Sequence, residues 1–152
     1  MLQGAIIKLR PVREVDLEEI YTFHLDIANR GDFYPRGIIS QAAFSKQLHE
    51  TGFWGADDGM LLITTHRDAI IGHIEFFKTV NYLDELELSY ILYRSEHRGK
   101  GAMSEAVELM VRYLFETRKV NRIRLVIHPD NIASRRLAEK CRFRHEGTAR
   151  GA

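Results

Sequence analysis

The sequence predicts an α/β domain, a mixed sheet with helices on its faces, and three observations point there. Apolar residues at 103, 106, 107, 110, 111, 114 and 115 share one face of a helix. Before that helix, the β-rich runs 60–65, 69–77 and 85–92 are joined by short connections, which suit antiparallel pairing. After it comes another β-rich run, 123–127, so the helix itself is the crossover of a parallel pair.

The remaining elements follow in chain order. Residues 5–9 are rich in isoleucine and Pro11 stops them, which predicts a first strand. Asp16 and Glu19 form a capping-box pattern, and Leu17, Ile20, Tyr21, His24 and Ile27 continue at helical spacing to about Asn29. The segment 31–37 holds two glycines and a proline around Phe33 and Tyr34, which predicts an irregular loop with exposed rings. Ser40 caps a short helix carrying Phe44 and Leu48, and Gly52 ends it. His66, Arg67 and Asp68 turn the hairpin between the next two strands. In 85–92, Leu86, Leu88 and Tyr90 alternate with Glu85, Glu87 and Ser89, so one face packs and the other carries carboxylates. Beyond His128 and Pro129 a helix runs from Asn131 to about Cys141, and a last extended run begins near Phe143.

Composition narrows the function classes. The chain has 152 residues, 45% of them apolar, which fits one domain, 1–152, around one core. The 22 basic and 21 acidic residues nearly cancel, so net charge announces neither nucleic acid nor an anionic membrane. With one cysteine, Cys141, no intrachain disulfide can form; no run is long and apolar enough for a bilayer, and the start has no signal-peptide pattern. The expectation is a soluble, cytoplasmic protein. Seven scattered histidines show no metal-binding spacing, and no metal site is expected.

The chemistry concentrates at Arg98, Gly99, Lys100 and Gly101, directly after a strand and directly before the long helix. Two glycines let the backbone turn its amides inward, and the helix dipole favours an anion there by about 0.3–1 kcal/mol. Taken alone, the loop reads equally well as a glycine-rich turn with two solvated cations. Neither a Walker pattern nor the three-glycine dinucleotide spacing is present.

The stretch EHRGKGAMSEA, residues 96–106, resembles motif A of the GNAT acetyltransferases, with Arg98 and Gly101 at matching positions and Met103 where a small residue is usual. Asn131, Ser134, Glu139, Lys140 and Phe143 are similar to the asparagine, serine and EKxGF pattern of the RimJ and RimL-like branch. LRPVREVDL near the start and IIGHIEF in the third strand extend the likeness over nearly the whole chain. The resemblance implies the GNAT acyl-CoA N-acyltransferase fold, acetyl-CoA as cofactor and an amine of a small molecule or a protein N-terminus as acceptor. It implies that amides from Arg98 through Gly99, Lys100, Gly101 and Ala102 to Met103 hold the pyrophosphate. The pantetheine arm would lie against Ile91, Leu92 and Tyr93, with Asn131 on the opposite side and His97 beside the cofactor.

An ammonium like that of lysine, with a pKa of about 10.4, is only roughly 0.1% neutral at pH 7, so a base helps. Glu87, mid-strand and close to where the family splays its sheet, is the first candidate; Glu85 and Glu75 are rivals, and Ser89 could position water. A solvated strand carboxylate explains Glu87 as well. Ser134 stands where many members carry a tyrosine, and is the candidate acid for the leaving thiolate. Asn131 and Ser134 can also cap their helix, worth about 1 kcal/mol. Phe33 and Tyr34 could line an acceptor pocket, and Trp54 is assigned to packing.

Two departures carry expectations. Cys141 and Arg142 replace the leucine and glycine before the phenylalanine of EKxGF, which should strain a left-handed helix end by about 1 kcal/mol. Family members usually continue past EGTARGA with a strand that hairpins into the sheet, so a final strand is expected to be missing, opening an edge that invites homodimer formation. A module that binds acetyl-CoA with little catalysis is the alternative function.

Overall fold

The computed structural model describes residues 1–35 and 37–151. Six strands form one sheet in the order β1-β2-β3-β4-β5-β6. They are β1 (Leu2–Gln3), β2 (Lys8–Arg10), β3 (Asp58–Thr64), β4 (Ile70–Phe77), β5 (Glu85–Leu92) and β6 (Arg122–Arg124). Strands β1 to β5 are antiparallel neighbours and β6 is parallel to β5, as the crossover through the long helix requires. The helices are α1 (Leu17–Leu25), α2 (Gln41–Thr51), α3 (Ala102–Thr117) and α4 (Ile132–Lys140).

Alternation along the strands splits the core in two. On one face Leu61, Ile63, Ile74, Phe76, Leu86 and Leu88 meet Ala106, Val107, Met110 and Leu114 of α3, the apolar stripe read from the sequence, with Leu137 of α4 at the margin. On the other face Met60, Leu62, Ile91 and Tyr93 meet Ile20 of α1 and Phe44 and Leu48 of α2. Leu48 and Phe44 are the residues that the capped helix was expected to bury, and Ser40 does cap it, accepting from the Ala43 amide at 3.2 Å.

Five expectations about elements need correction. The run expected as one strand over 5–9 pairs only from Lys8, in β2, with the short β1 ahead of it, because the Glu105 carboxylate of α3 takes the amides of Ala5, Ile6 and Ile7 at 2.7, 2.8 and 2.8 Å before a ladder can. Asp16 does not cap α1: its carboxylate accepts from the buried Arg10 guanidinium (2.7 and 2.9 Å) and the Arg13 amide (2.7 Å). Helix α1 stops at Leu25, where Asp26 leaves helical geometry (ψ 76), and a 3-10 turn carries Ile27–Arg30 instead. The run expected as strand 123–127 pairs only through Arg124, and the extended run from Phe143 joins no ladder among the described residues.

The strained helix end is present. Arg142 has φ 64, and its amide bonds to Glu139 (3.0 Å) while that of Phe143 bonds to Ala138 (2.9 Å). That is a Schellman cap with arginine where glycine is favoured. No helix is long and apolar enough to cross a membrane among the described residues.

Candidate active site

Strands β5 and β6 are in register at Glu85–Arg122, Leu86–Ile123 and Glu87–Arg124, then part. From Ser89 onward no strand among the described residues lies beside that edge of β5, and the split opens a cleft of about 820 Å³. Its walls are Glu87 to Leu92, the diverging segment 125–128, the start of α3 and the inner face of α4, with Phe33 and Tyr34 over the mouth.

The loop before α3 sets one end. Gly99 (φ 71) and Gly101 (φ 85) are both left-handed, a conformation glycine adopts without penalty. The first helical bond runs from Glu105 N to the Gly101 carbonyl (3.1 Å), and the Ser104 hydroxyl donates to the same carbonyl (3.0 Å). The amides of residues 99–104 find no protein acceptor among the described residues, and most of these residues border the cleft. Free amides on a helix start fit a diphosphate. Around them stand Arg98, Arg136, Lys140 and His97. Arg98 is tethered by Nη2 to the carbonyls of Asn29 (3.2 Å) and Leu92 (3.4 Å).

Of the residues singled out in the sequence, Phe33, Tyr34, Glu87, Ile91, Leu92, Arg98, Gly99, Gly101, Ala102, Met103, Asn131 and Ser134 line this cleft. Two do not. Lys100 is exposed beside it, and the Tyr93 side chain is buried on the α1/α2 face, its hydroxyl 2.6 Å from His73 Nδ1. Trp54 packs against Phe76 and Tyr113, away from the cleft. Glu87 is not a free carboxylate: Arg124 holds it through Nη2 (3.0 Å) and Nε (3.1 Å). Glu85 is tied to Arg122 at 2.7 Å.

Three features escaped sequence reasoning. Arg136 and Lys140, one turn apart on α4, bring cations to the same cleft as the glycine loop, and their spacing was legible. Tyr90, read as a packing residue, reaches across to α4, where its hydroxyl lies 2.5 Å from Ser134 Oγ. Burial raises the Tyr90 phenol above its ordinary value, with Ser134 pulling the other way, so the proton stays on it through neutral pH. Asn131, which lines the cleft, also caps α4, its Oδ1 accepting the Ser134 amide at 3.2 Å. The third feature is a buried network on the other face of β5, where His73 meets Tyr34, Tyr93 and Glu75.

A model of the acetyltransferase (GNAT) domain matches residues 7–144. The chain belongs to the GNAT acetyltransferase family. It is similar to the probable N-acetyltransferase YjcK of Bacillus subtilis (strain 168), 31% identical over 99% of this chain and 87% of that protein. In fold it is similar to a GNAT-family acetyltransferase from Bacillus anthracis, with a TM-score of 0.77 at 22% identity over 96% of this chain and 84% of that one. Spermidine N-acetyltransferase from Vibrio cholerae, solved with CoA and spermine, superposes with a TM-score of 0.76 at 20% identity over 95% and 84% of the two chains. The fold is that of the GNAT acyl-CoA N-acyltransferases, and the activity of the family is N-acetyl transfer.

Proposed function

We propose that the protein moves an acetyl group from acetyl-CoA to a primary amine, on a small molecule or a protein N-terminus, by direct attack on the thioester. The observation that carries this is the row of free amides at 99–104 opening into a cleft that splits the sheet. Amides from Gly99 to Met103, with Arg98, Arg136 and Lys140 around them, hold the diphosphate. The unpaired edge of β5 at Ile91 and Leu92 receives the pantetheine arm, and Asn131 Nδ2 donates from the facing helix. When bound, acetyl-CoA supplies the acetyl group as a thioester.

The chain's own residues then divide the work by face. Ser134 and Tyr90, on the α4 side, hold a transferable proton where the thiol leaves. Phe33 and Tyr34 border the acceptor's entrance, where Phe33 packs on His128 with ring centres 5.1 Å apart. The single cysteine fits a reducing, cytoplasmic setting. The edge of β6, which no described strand covers, fits pairing as a homodimer, readable by light scattering.

The test is a thermal shift with acetyl-CoA, CoA and ATP, followed by thiol release in the presence of amines and free-N-terminus peptides. Stabilisation by both CoA species with acceptor-dependent thiol release is expected. Stabilisation without release would favour the binding module, and no shift with either CoA species would sink the reading.

A further inference from the structure

On the α1/α2 face of β5, behind the cleft wall, lies a chain of polar groups that the cofactor half of the site does not use. Tyr34, which lines the cleft, has its hydroxyl 2.9 Å from His73 Nε2. His73 is buried, and the same Nε2 is 3.1 Å from Glu75 Oε1, while Nδ1 is 2.6 Å from the Tyr93 hydroxyl. Register places these side chains together: on β4 and β5, His73 pairs with Ile91 and Glu75 with Ser89. Glu75 is only partly covered, so the chain runs from the cleft toward solvent. Glu87 and Glu85, in contrast, are held by arginines.

We propose that Tyr34, His73 and Glu75 form the proton relay that deprotonates the acceptor amine, with Tyr34 Oη as the group that touches it. This rests on the acetyl-transfer reading. With His73 neutral, Nδ1–H donates to Tyr93 and Nε2 accepts the Tyr34 hydroxyl. The amine gives a proton to Tyr34 Oη as Tyr34 passes its own to Nε2, and the imidazolium donates to the Glu75 carboxylate. An ammonium acceptor loses two protons in becoming an amide: the C–N bond forms, the C–S bond breaks, and one proton ends on sulfur. The other leaves by this relay to water.

The electrostatics agree. Burial pushes the Tyr34 phenol well above its ordinary value, so it conducts a proton rather than resting as phenolate. Burial pulls the Glu75 carboxyl up, but the hydrogen bond and charge of protonated His73 outweigh it, so the lowered carboxyl belongs to the imidazolium stage of the relay, when Nε2–H donates to it. The other ionisable groups around the network are His24 and Glu19 from α1, Arg30 from the 3-10 turn and Tyr93 after β5.

The experiment has an activity arm and a spectroscopic arm. Thiol release is followed from pH 6 to 9 with spermidine, phenethylamine and an Ala-Gly-Phe peptide as acceptors, for wild type, Tyr34→Phe, Glu75→Gln and Glu87→Gln. Tyr34→Phe should lower kcat by about 10²-fold, as loss of a proton acceptor does, while the acetyl-CoA thermal shift stays. Removing the carboxylate beside an imidazolium lowers its pKa, so Glu75→Gln should move the acid limb of kcat/KM to lower pH. NMR titration of His73 in the ligand-free protein should show the same displacement. The relay is overturned if Tyr34→Phe keeps the wild-type rate, or if the His73 midpoint moves in Glu75→Gln and the activity limb does not. A larger loss in Glu87→Gln would hand the role to Glu87. Wild-type protein with no acetyl-CoA shift would instead defeat the acetyl-transfer reading itself.

Discussion

Gly101→Val tests whether backbone amides hold the cofactor. Gly101 has φ 85 and ψ −2, and a Cβ built there would stand 3.4 Å from Ile6 Cδ1 and 3.9 Å from Lys140 Nζ. Space therefore admits the first carbon, but a β-branched residue resists this conformation. Left-handed geometry costs about 1–2 kcal/mol for an ordinary residue and more for valine. If the loop keeps its shape, stability falls by about 2 kcal/mol, or roughly 4–8 °C in Tm for a chain this size. If the loop relaxes by turning the peptide over, neighbouring amides leave the nest. Losing two charge-assisted bonds at about 1.5 kcal/mol each is about 3 kcal/mol, roughly 100-fold in Kd. Calorimetric titration with acetyl-CoA reads the affinity, and thermal melting reads the strain. Lys100→Ala is the control: its side chain is exposed and outside the cleft, and the expected change is below about threefold. A Gly101→Val protein that binds within about threefold of wild type refutes the amide nest; an equal loss in Lys100→Ala shows that side-chain charge does the binding.

Three further outcomes follow from the fold. Glu105→Ala strips the acceptor from three amides, one of them part-buried, and should lower Tm by roughly 4–8 °C, equivalent to about 2 kcal/mol; an unchanged melt would show that the Ala5 to Ile7 turn stands without it. Arg142→Gly relieves a positive φ and should raise stability by up to about 1 kcal/mol, seen as a higher urea midpoint at constant slope. For Asp16, burial pulls the carboxyl up but the bonds from Arg10 and the Arg13 amide outweigh it, leaving it below the ordinary value of 3.8. Its contribution is therefore present above about pH 4 and lost as pH falls through the lower folded value. Urea melts between pH 5 and 2.5 should show wild type losing stability that Asp16→Asn, less stable at pH 7, has already lost.

The sequence alone determined much about this protein. Periodicity at 103 to 115 defined α3, alternation in 85–92 defined β5, and the glycines at 99 and 101 marked the left-handed turn between them. These are local properties: a helix face, a pleat and a positive φ each leave a mark within a few residues. Most of the cleft lining around the loop was legible for that reason. Tertiary structure decided what depends on distance across the chain. Glu105 reaches 100 residues back to Ala5 and keeps residues 5–7 out of the ladder between β1 and β2, a grip that no local pattern announces. Arg124 neutralises Glu87 only because the register of β5 and β6 sets them side by side, and the same register, ending there, opens the sheet. Tyr90 looked like core because it alternates with Leu88, yet α4 brings Ser134 to its hydroxyl. His73 lay inside the IIGHIEF stretch without being singled out. Its meaning came from packing: Tyr34, Tyr93 and Glu75 lie far apart or two residues off in sequence and converge on one imidazole only once α1, β4 and β5 are packed.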